Sequence, residues 1–327
     1  MTIRRAAVLA LSAVLILAGC AKKPAATEPV LKFSIVPAED QASMSRVWQP
    51  LLDDLQKQTG LKVQASFASN YMGMIEAMRF NQVQVGWFSA LPALEAVNRA
   101  NAEVLGRIVY KSGETNVYES VLITRKGSGI TLDDVLKCGK RYDFGLGDPN
   151  STSGTLAPLA YVFAPRGIDP TSCFKTVRSA SHQANLLAVA TGQLPVATNN
   201  TVGLVFAARE NPKMASRIEV IWTSPPLPES SILVRKDLDP QVKEKLKRFF
   251  VGYGTAAGPQ GDHERKVLDA LTYGGFRPVD DSYLDPIRLM VASKDLAEAK
   301  HAGDAARIAT AQKAFDAIDA KPTAHSR

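Results

Sequence analysis

The sequence predicts an α/β protein built from two lobes. Segments rich in β-branched and alternating apolar residues take turns along the chain with segments whose apolar residues recur at helical spacing. A repeated strand–helix–strand order favours a parallel sheet with helices on its faces. The chain has 327 residues, which is enough for two bodies with separate cores even after an N-terminal leader is removed.

The first part of the chain reads as repeated strand–helix units. The helix after the first strand has an apolar face and ends at Gly60, and the helix after the second strand begins at Tyr71. Open α/β sheets bind ligands where their strands end, so Tyr71 is a candidate binding residue. The alternative is a half-buried tyrosine that covers the core. The strands predicted here are residues 31–37, 62–67, 84–88 and 104–110.

The chain is expected to cross between the lobes twice. A strand at 118–124 leads from the first lobe into the second. A proline-rich segment after a strand at 219–223 leads the chain back. Further strands are predicted at 142–146, 176–181, 195–201 and 231–235, with helices between them. The expected domains are lobe 1 (30–118 with 226–290), lobe 2 (119–225) and a C-terminal helical tail (291–327).

The central motif is the ten-residue stretch GLGDPNSTSG at 145–154, which lies between a strand and a helix. Asn150 or Ser151 is suited to cap the helix, whose first amides have no partner within the helix and attract negative charge. With the neighbouring hydroxyls these amides would form a cradle for an oxyanion. The alternative is an ordinary turn with a serine cap. No Gly-Lys-Ser/Thr follows, so this is not a Walker loop.

His182 follows a predicted strand and lies at the same sheet edge as Ser151. A lone histidine is most often structural, but a protonated one here would add a cation to an anion site. A hydrolase with Ser151 as nucleophile, His182 as base and Asp148 as the orienting acid is the catalytic alternative. The turn has no Gly-x-Ser-x-Gly elbow, so we expect the protein not to be an enzyme.

The N-terminus has the pattern of an export signal. Arg4 and Arg5 precede an apolar run at 6–18 that is too short to span a bilayer, and Leu-Ala-Gly-Cys at 17–20 resembles a bacterial lipobox. We expect a signal peptide at 1–19, lipidation of Cys20 and a tether at 20–29, in the periplasm. Ala21 after the cysteine favours the outer membrane. The alternative is a plain signal peptide with a chance cysteine.

Composition excludes several classes of function. The net charge is +7, of which Arg4 and Arg5 contribute two, and acidic residues are interspersed throughout, so nucleic-acid binding is not indicated. Cys138 and Cys173 each precede a predicted strand, and a disulfide is favoured over two free thiols. No Cys/His spacing matches a zinc site, and no cofactor is expected.

The C-terminal tail carries an apolar stripe, formed by Ile308, Ala311, Phe315 and Ile318. Their three- and four-residue spacing places them on one helix face. The stripe is expected to pack on the protein's own body, with a homodimer through this helix as the alternative.

Three motifs in register resemble one family. NYMGMIEAMRFN at 70–81, GDPNSTSG at 147–154 and ATNNT at 197–201 are similar to the phosphonate-binding proteins of ABC importers, and the similarity runs from about residue 31 to 289. The resemblance implies a type II periplasmic-binding-protein fold, with two α/β lobes joined by a two-strand hinge and the ligand in the cleft. It also implies an ABC permease as partner. By the same resemblance, phosphonyl oxygens would be held by Ser151 and Thr152, with Ser153 beside them and with Tyr71, Tyr118 and His182 as further donors.

The chain departs from that family in one place. Members that bind aminoethylphosphonate hold its amine with two acids, and the matching positions here are Val202 and Ser230, with Glu229 adjacent. We therefore expect a ligand without a positively charged tail, or one that relies on Glu229. Alkylphosphonates, phosphite, phosphate and sulfonates stay open as ligands, and a lipoprotein that reports ligand to a sensor stays open as a role.

Overall fold

Two β-sheets organise the chain, one in each lobe. The computed structural model describes residues 30–111 and 118–321. Within these residues one sheet has the strand order β11-β4-β10-β3-β1-β2 and the other β7-β6-β8-β5-β9. The strands are β1 (Leu31–Ile35), β2 (Val63–Phe67), β3 (Val85–Phe88), β4 (Ala102–Tyr110), β5 (Ser120–Arg125), β6 (Asp143–Leu146), β7 (Thr176–Ser179), β8 (Val196–Asn200), β9 (Ile218–Thr223), β10 (Ser231–Arg235) and β11 (Tyr273–Arg277).

Helices cover both sheets. After β6, two short π-helical segments, Thr152–Leu156 and Leu159–Phe163, lie where the sequence predicts one regular helix. The α-helices are α1 (Gln41–Thr59), α2 (Tyr71–Arg79), α3 (Ala90–Arg99), α4 (Leu132–Leu136), α5 (Pro170–Cys173), α6 (His182–Ala190), α7 (Thr201–Glu210), α8 (Pro212–Ala215), α9 (Pro240–Gly252), α10 (Gly258–Ala270), α11 (Asp285–Ala302) and α12 (Ala305–Asp319). No described helix is long and apolar enough to cross a membrane.

Local signals in the sequence explain how the helices begin and end. The Asp40 side chain accepts a hydrogen bond from the Ser43 amide (3.0 Å) and caps the start of α1, and Gly60 ends the helix in a left-handed conformation. The buried face of α1, which includes Trp48 and Leu51, packs on the sheet of lobe 1 beside Phe33. Each such side chain contributes about 1.5–3 kcal/mol through burial.

The parallel pairing expected from the first strand–helix units is present, but both sheets are mixed. β1 pairs in parallel with β2 and β3, but β10 is antiparallel to its neighbours β3 and β4, and β5 is antiparallel to β8 and β9. β4 leads out of lobe 1 and β10 is the first strand after the return, so the two run in opposite directions. The crossings between the lobes therefore set the mixed topology, which local patterning does not report.

Lobe 2 is covalently cross-linked. Cys138 and Cys173 form a disulfide, with their Cα atoms 4.5 Å apart and a sequence separation of 35. The bond joins the segments that precede β6 and β7, which are neighbouring parallel strands. It closes beside a small core in which the Phe144 and Phe174 rings stack.

The lobes are connected by the hinge and by α11. Tyr118 and Leu227 form an antiparallel bridge, so the two chain crossings lie side by side. α11 contacts α3 of lobe 1 and the helical segments 159–166 of lobe 2. Gly167 of lobe 2 lies directly against the His301 ring: a Cβ at this position would be 2.7 Å from its Nδ1. α11 therefore spans both lobes as a third connection.

The C-terminal tail forms two helices instead of one. Gly303 adopts a left-handed conformation and ends α11, and α12 then folds back to pack on α11. The stripe that includes Ile308 and Phe315 is half-buried, and Lys321 pairs with Asp285 at 3.3 Å. The tail therefore packs on the protein's own body, as the first of the two expectations has it.

Candidate functional site

The turn at 147–154 is held by backbone contacts that two glycines make possible. The Gly147 amide donates to the Gly154 carbonyl (2.9 Å), and a Cβ on Gly147 would lie only 2.6 Å from the Gly154 Cα. The Asp148 carboxylate accepts from the Asn150 amide (2.8 Å), which fixes the intervening Pro149 corner. Ser151 is the cap: its Oγ accepts from the Gly154 amide at 3.0 Å.

Three consecutive hydroxyl side chains of this turn, Ser151, Thr152 and Ser153, face side chains and amides from the rest of the cleft. Thr152 Oγ1 accepts from the Leu91 amide at 2.8 Å, and the Tyr71 hydroxyl lies close to the Ser151 side chain. The Tyr118 hydroxyl donates to Ser153 Oγ at 2.6 Å. All of these side chains are buried. We call Ser151, Thr152, Ser153, Tyr71, Tyr118 and His182 the hydroxyl cluster.

Both lobes contribute helix starts to this cluster. α2 begins at Tyr71 and α3 at Ala90 in lobe 1, while the π-helical turn after Ser151 and α6 at His182 begin in lobe 2. The Tyr71 amide points across the cleft at the Asp148 carboxylate (3.5 Å). Converging helix starts produce a positive potential without a charged side chain.

The start of α3 was not predicted from the sequence as part of the site. The Leu91 amide reaches Thr152, and the neighbouring Ser89 Oγ is buried and has no partner. A backbone donor has no residue signature, so only the position of this helix after β3 could have indicated it. Ser89 is the feature of the sequence that marks the place.

Burial determines the charge state of the cluster. His182 is buried, and this lowers its pKa to about 4. The imidazole is therefore neutral at neutral pH, so the protonated histidine considered from the sequence is corrected. Burial also raises the pKa values of Tyr71 and Tyr118 above their usual range, which keeps both hydroxyls protonated as donors.

The hydrolase arrangement is not assembled. His182 Nε2 is 3.3 Å from Ser153 Oγ, whereas Ser151 is engaged as a helix cap. His182 Nδ1 has no partner, and the Asp148 carboxylate is engaged by the Asn150 amide. No described group of three or more His, Cys, Asp or Glu side chains could hold a metal ion. The geometry suits recognition of an oxyanion by neutral donors, because these stabilise charge without forming a competing ion pair.

Glu229 lies at the hinge, next to Tyr118. Its carboxylate lies close to the Tyr110 hydroxyl and the Tyr118 amide, and burial raises its pKa to about 8. One carboxylate oxygen, Oε2, has no partner. The Glu229 amide donates to the Tyr283 hydroxyl (2.6 Å), which anchors the residue to lobe 1.

Comparison with known proteins places the chain in one family. A family model for the phosphonate periplasmic substrate-binding protein of ABC transporters matches residues 33–284. The phosphonates-binding periplasmic protein of Escherichia coli (strain K12) is 42% identical over 270 residues, covering 82% of this chain and 78% of that protein. The phosphate-import protein PhnD of Mycolicibacterium smegmatis is 27% identical over 278 residues, covering 79% of this chain and 84% of its own.

Solved structures of similar proteins have the same fold as this chain. A binding-protein component of an ABC phosphonate transporter from Pseudomonas aeruginosa superimposes with a TM-score of 0.85 at 37% identity, covering 90% of this chain and 97% of its own. PhnD1 from Prochlorococcus marinus, solved with methylphosphonate, has the same fold with a TM-score of 0.71 at 20% identity, covering 81% of this chain and 97% of its own. This chain has the type II periplasmic-binding-protein fold and belongs to the family of periplasmic substrate-binding proteins of phosphonate ABC transporters.

Proposed function

We propose that this protein binds a phosphonate-type oxyanion in the cleft and delivers it to the permease of an ABC importer. The observation that carries the proposal is the hydroxyl cluster, where helix starts from both lobes meet three consecutive hydroxyl side chains. The relative from Escherichia coli is named for binding phosphonates, and the structure from Prochlorococcus marinus holds methylphosphonate. Both agree with a phosphonate as the ligand.

The cluster can rearrange around such an anion without moving the backbone of the turn. Each hydroxyl has one hydrogen to donate and two positions to accept. Thr152 can keep its bond from Leu91 and turn its hydrogen to a phosphonyl oxygen. Hydrogen bonds to a charged group are worth about 1.5–3 kcal/mol each, so five of them give about 8–15 kcal/mol, which is comparable with the roughly 8 kcal/mol of micromolar binding.

The proposed role needs both lobes, because the donors are divided between them. Tyr71 and the Leu91 amide come from lobe 1, and the Ser151–His182 side comes from lobe 2. Rotation about the hinge at Tyr118 and Leu227 would separate the two sets and open the site. We infer that ligand binding and closure are the same event, and that the permease reads the closed form.

The phosphonyl end of the ligand is better defined than its tail. The family's two amine-binding acids are absent, since Val202 and Ser230 stand at those positions. Methylphosphonate and other alkylphosphonates fit the hydroxyl cluster, and the M. smegmatis relative named for phosphate import keeps phosphate as an alternative ligand. Phosphite and sulfonates share the same recognition chemistry. A ligand-sensing role in place of import would use the same site and closure.

We also propose that the protein is anchored in the periplasm by a lipid on Cys20, in the outer membrane. The lipobox pattern supports this, and it lies outside the described residues. A homodimer through α12 would use the half-buried stripe at Ile308 and Phe315. Metabolic labelling with a fatty acid tests the anchor, with Cys20→Ser as the unlabelled control. The molar mass in solution, measured by light scattering, tests the dimer.

Calorimetry with methylphosphonate, aminoethylphosphonate, phosphite, phosphate and sulfate tests the function. We expect saturable binding of at least one phosphonate at micromolar concentration or below. Ser153→Ala, which removes a hydroxyl from the cluster, should weaken it about tenfold or more. Ser172→Ala, which removes an exposed hydroxyl bonded to the Asp169 carbonyl, is the matched control. Absence of binding by all five anions, or wild-type affinity in Ser153→Ala, would refute the proposal.

A further inference from the structure

A cavity of about 260 Å³ lies in the cleft between α1 of lobe 1 and α6, α7 and α8 of lobe 2. His182 is part of its wall, and Nε2 of the same ring is 3.3 Å from Ser153 Oγ, so the cavity adjoins the hydroxyl cluster. Most of the remaining wall is apolar, including Met44, Leu186 and Phe206. The cavity therefore lies on the other side of the His182 side chain from Ser153, and both lobes line it.

One carboxylate in this cavity has no partner. Glu39 follows β1 and lines the wall, and within residues 30–111 and 118–321 its side chain forms no hydrogen bond or ion pair. Its acidic neighbours are occupied: Asp40 caps α1, and Glu210 pairs with Arg46 at 2.8 Å. Burial, Asp40 and Glu210 together raise the pKa of Glu39 to about 8. An uncompensated carboxylate in a cleft is costly and is typical of a functional site.

Glu39 is better placed to receive a cation than Glu229. The Glu229 carboxylate lies beside the Tyr110 hydroxyl and the Tyr118 amide at the hinge. Glu39 lines the cavity beside Gly203 of α7: a Cβ there would be 3.5 Å from Glu39 Oε1 and 2.7 Å from Asn199 Oδ1. Two further carboxylates nearby make the local field negative, which favours a positive group over a neutral or anionic one.

The volume and the wall of the cavity also limit the size and the chemistry of the ligand's tail. It is smaller than the roughly 300–1,000 Å³ of sites for drug-sized ligands, and so suits a tail of a few heavy atoms. The Phe206 ring and the Met44 and Met214 thioethers on its wall are polarisable groups that contact ammonium and methylammonium groups favourably.

We propose that this cavity is the tail pocket and that Glu39 is the counter-ion for the cationic amine of an aminoalkylphosphonate. The inference rests on the proposed function, since the phosphonyl group must be held by the hydroxyl cluster for the tail to enter. It supplies an acid for the amine in a chain that has Val202 and Ser230 where its relatives' amine-binding acids are expected.

Calorimetry with methylphosphonate, aminoethylphosphonate and trimethylammonioethylphosphonate tests the proposal. The wild-type protein should bind the aminoethyl ligand at least tenfold more tightly than methylphosphonate. Glu39→Gln should lose about 10–100-fold in affinity for both amine ligands and less than threefold for methylphosphonate. Glu244→Gln, on the exposed surface of α9 and paired with Arg248, is the matched control and should bind all three like wild type.

A second variant tests the cavity itself. Ala207 lines it from α7, and Ala207→Phe should exclude both amine ligands while methylphosphonate still binds, which decides the matter even if Glu39→Gln fails to fold. Equal losses for all three ligands in Glu39→Gln, or a selective loss in Glu229→Gln instead, would overturn the tail pocket but leave the phosphonyl site standing. Absence of methylphosphonate binding in the wild type would overturn both.

Discussion

Thr152→Val is expected to weaken methylphosphonate binding by about 10²–10⁴-fold. Thr152 is fully buried, and its hydroxyl accepts from the Leu91 amide of the other lobe. Valine has the same shape but neither donates nor accepts. The variant loses a bond to the ligand, worth about 1.5–3 kcal/mol, and leaves the Leu91 amide unpaired on closure, which costs about 1–3 kcal/mol more. At 1.4 kcal/mol per factor of ten, the sum gives the stated range.

Thr152→Ser is the matched control. It keeps the hydroxyl and removes only a methyl group, so its affinity should remain within about fivefold of wild type, by the roughly 0.8 kcal/mol assigned to one buried carbon. Titration calorimetry measures both variants, and thermal melting without ligand shows whether each folds. A valine variant that folds and binds methylphosphonate within fivefold of the serine variant would refute the role given to this hydroxyl.

Three further results are expected. Burial lowers the pKa of His182 to about 4 from an ordinary 6.5. As pH falls between those values, the histidine takes up a proton in the unfolded chain but stays neutral in the folded protein. Stability should therefore drop by about 2 kcal/mol from this residue between pH 7 and pH 5, and urea titrations of His182→Asn should show a pH dependence smaller by that amount; an unchanged slope would contradict the neutral histidine. Replacing Cys138 and Cys173 by serine should cost about 2–4 kcal/mol in unfolding free energy, because the disulfide closes a loop of 35 residues; a loss under 1 kcal/mol would be inconsistent with that cross-link. Gly167→Ala should lower the melting temperature and increase proteolysis of α11, because the new methyl meets the His301 ring and the residue has a positive φ of 65°; wild-type proteolysis would show that α11 is not held there.

Local chemistry made much of lobe 1 predictable from the sequence. The end of α1 at Gly60 and the start of α2 at Tyr71 follow from capping residues and apolar spacing, and the structure has both. Two helices of ten or more residues were missed. α7 is apolar around most of its circumference and α10 contains Pro259 and Gly261 near its start, so neither shows the one-sided pattern that marks a surface helix.

The long-range features were not predictable in the same way. The antiparallel insertion of β10 depends on how the chain returns from lobe 2. The Leu91 amide has no side-chain signature, and Glu39 belongs to no motif although it lines the cleft. The neutral state of His182 depends on burial that only the assembled lobes produce. Sequence motifs therefore indicated the side chains of the hydroxyl cluster, and the cleft geometry was needed to find the Leu91 amide and Glu39.

A crystal structure with methylphosphonate tests the central claim most directly. The account predicts the phosphonyl oxygens within hydrogen-bond distance of the Ser151, Thr152 and Ser153 hydroxyls and of Tyr71 and Tyr118, with the lobes in contact around them. A ligand bound elsewhere, or a hydroxyl cluster that keeps its internal hydrogen bonds while methylphosphonate is bound, would contradict it.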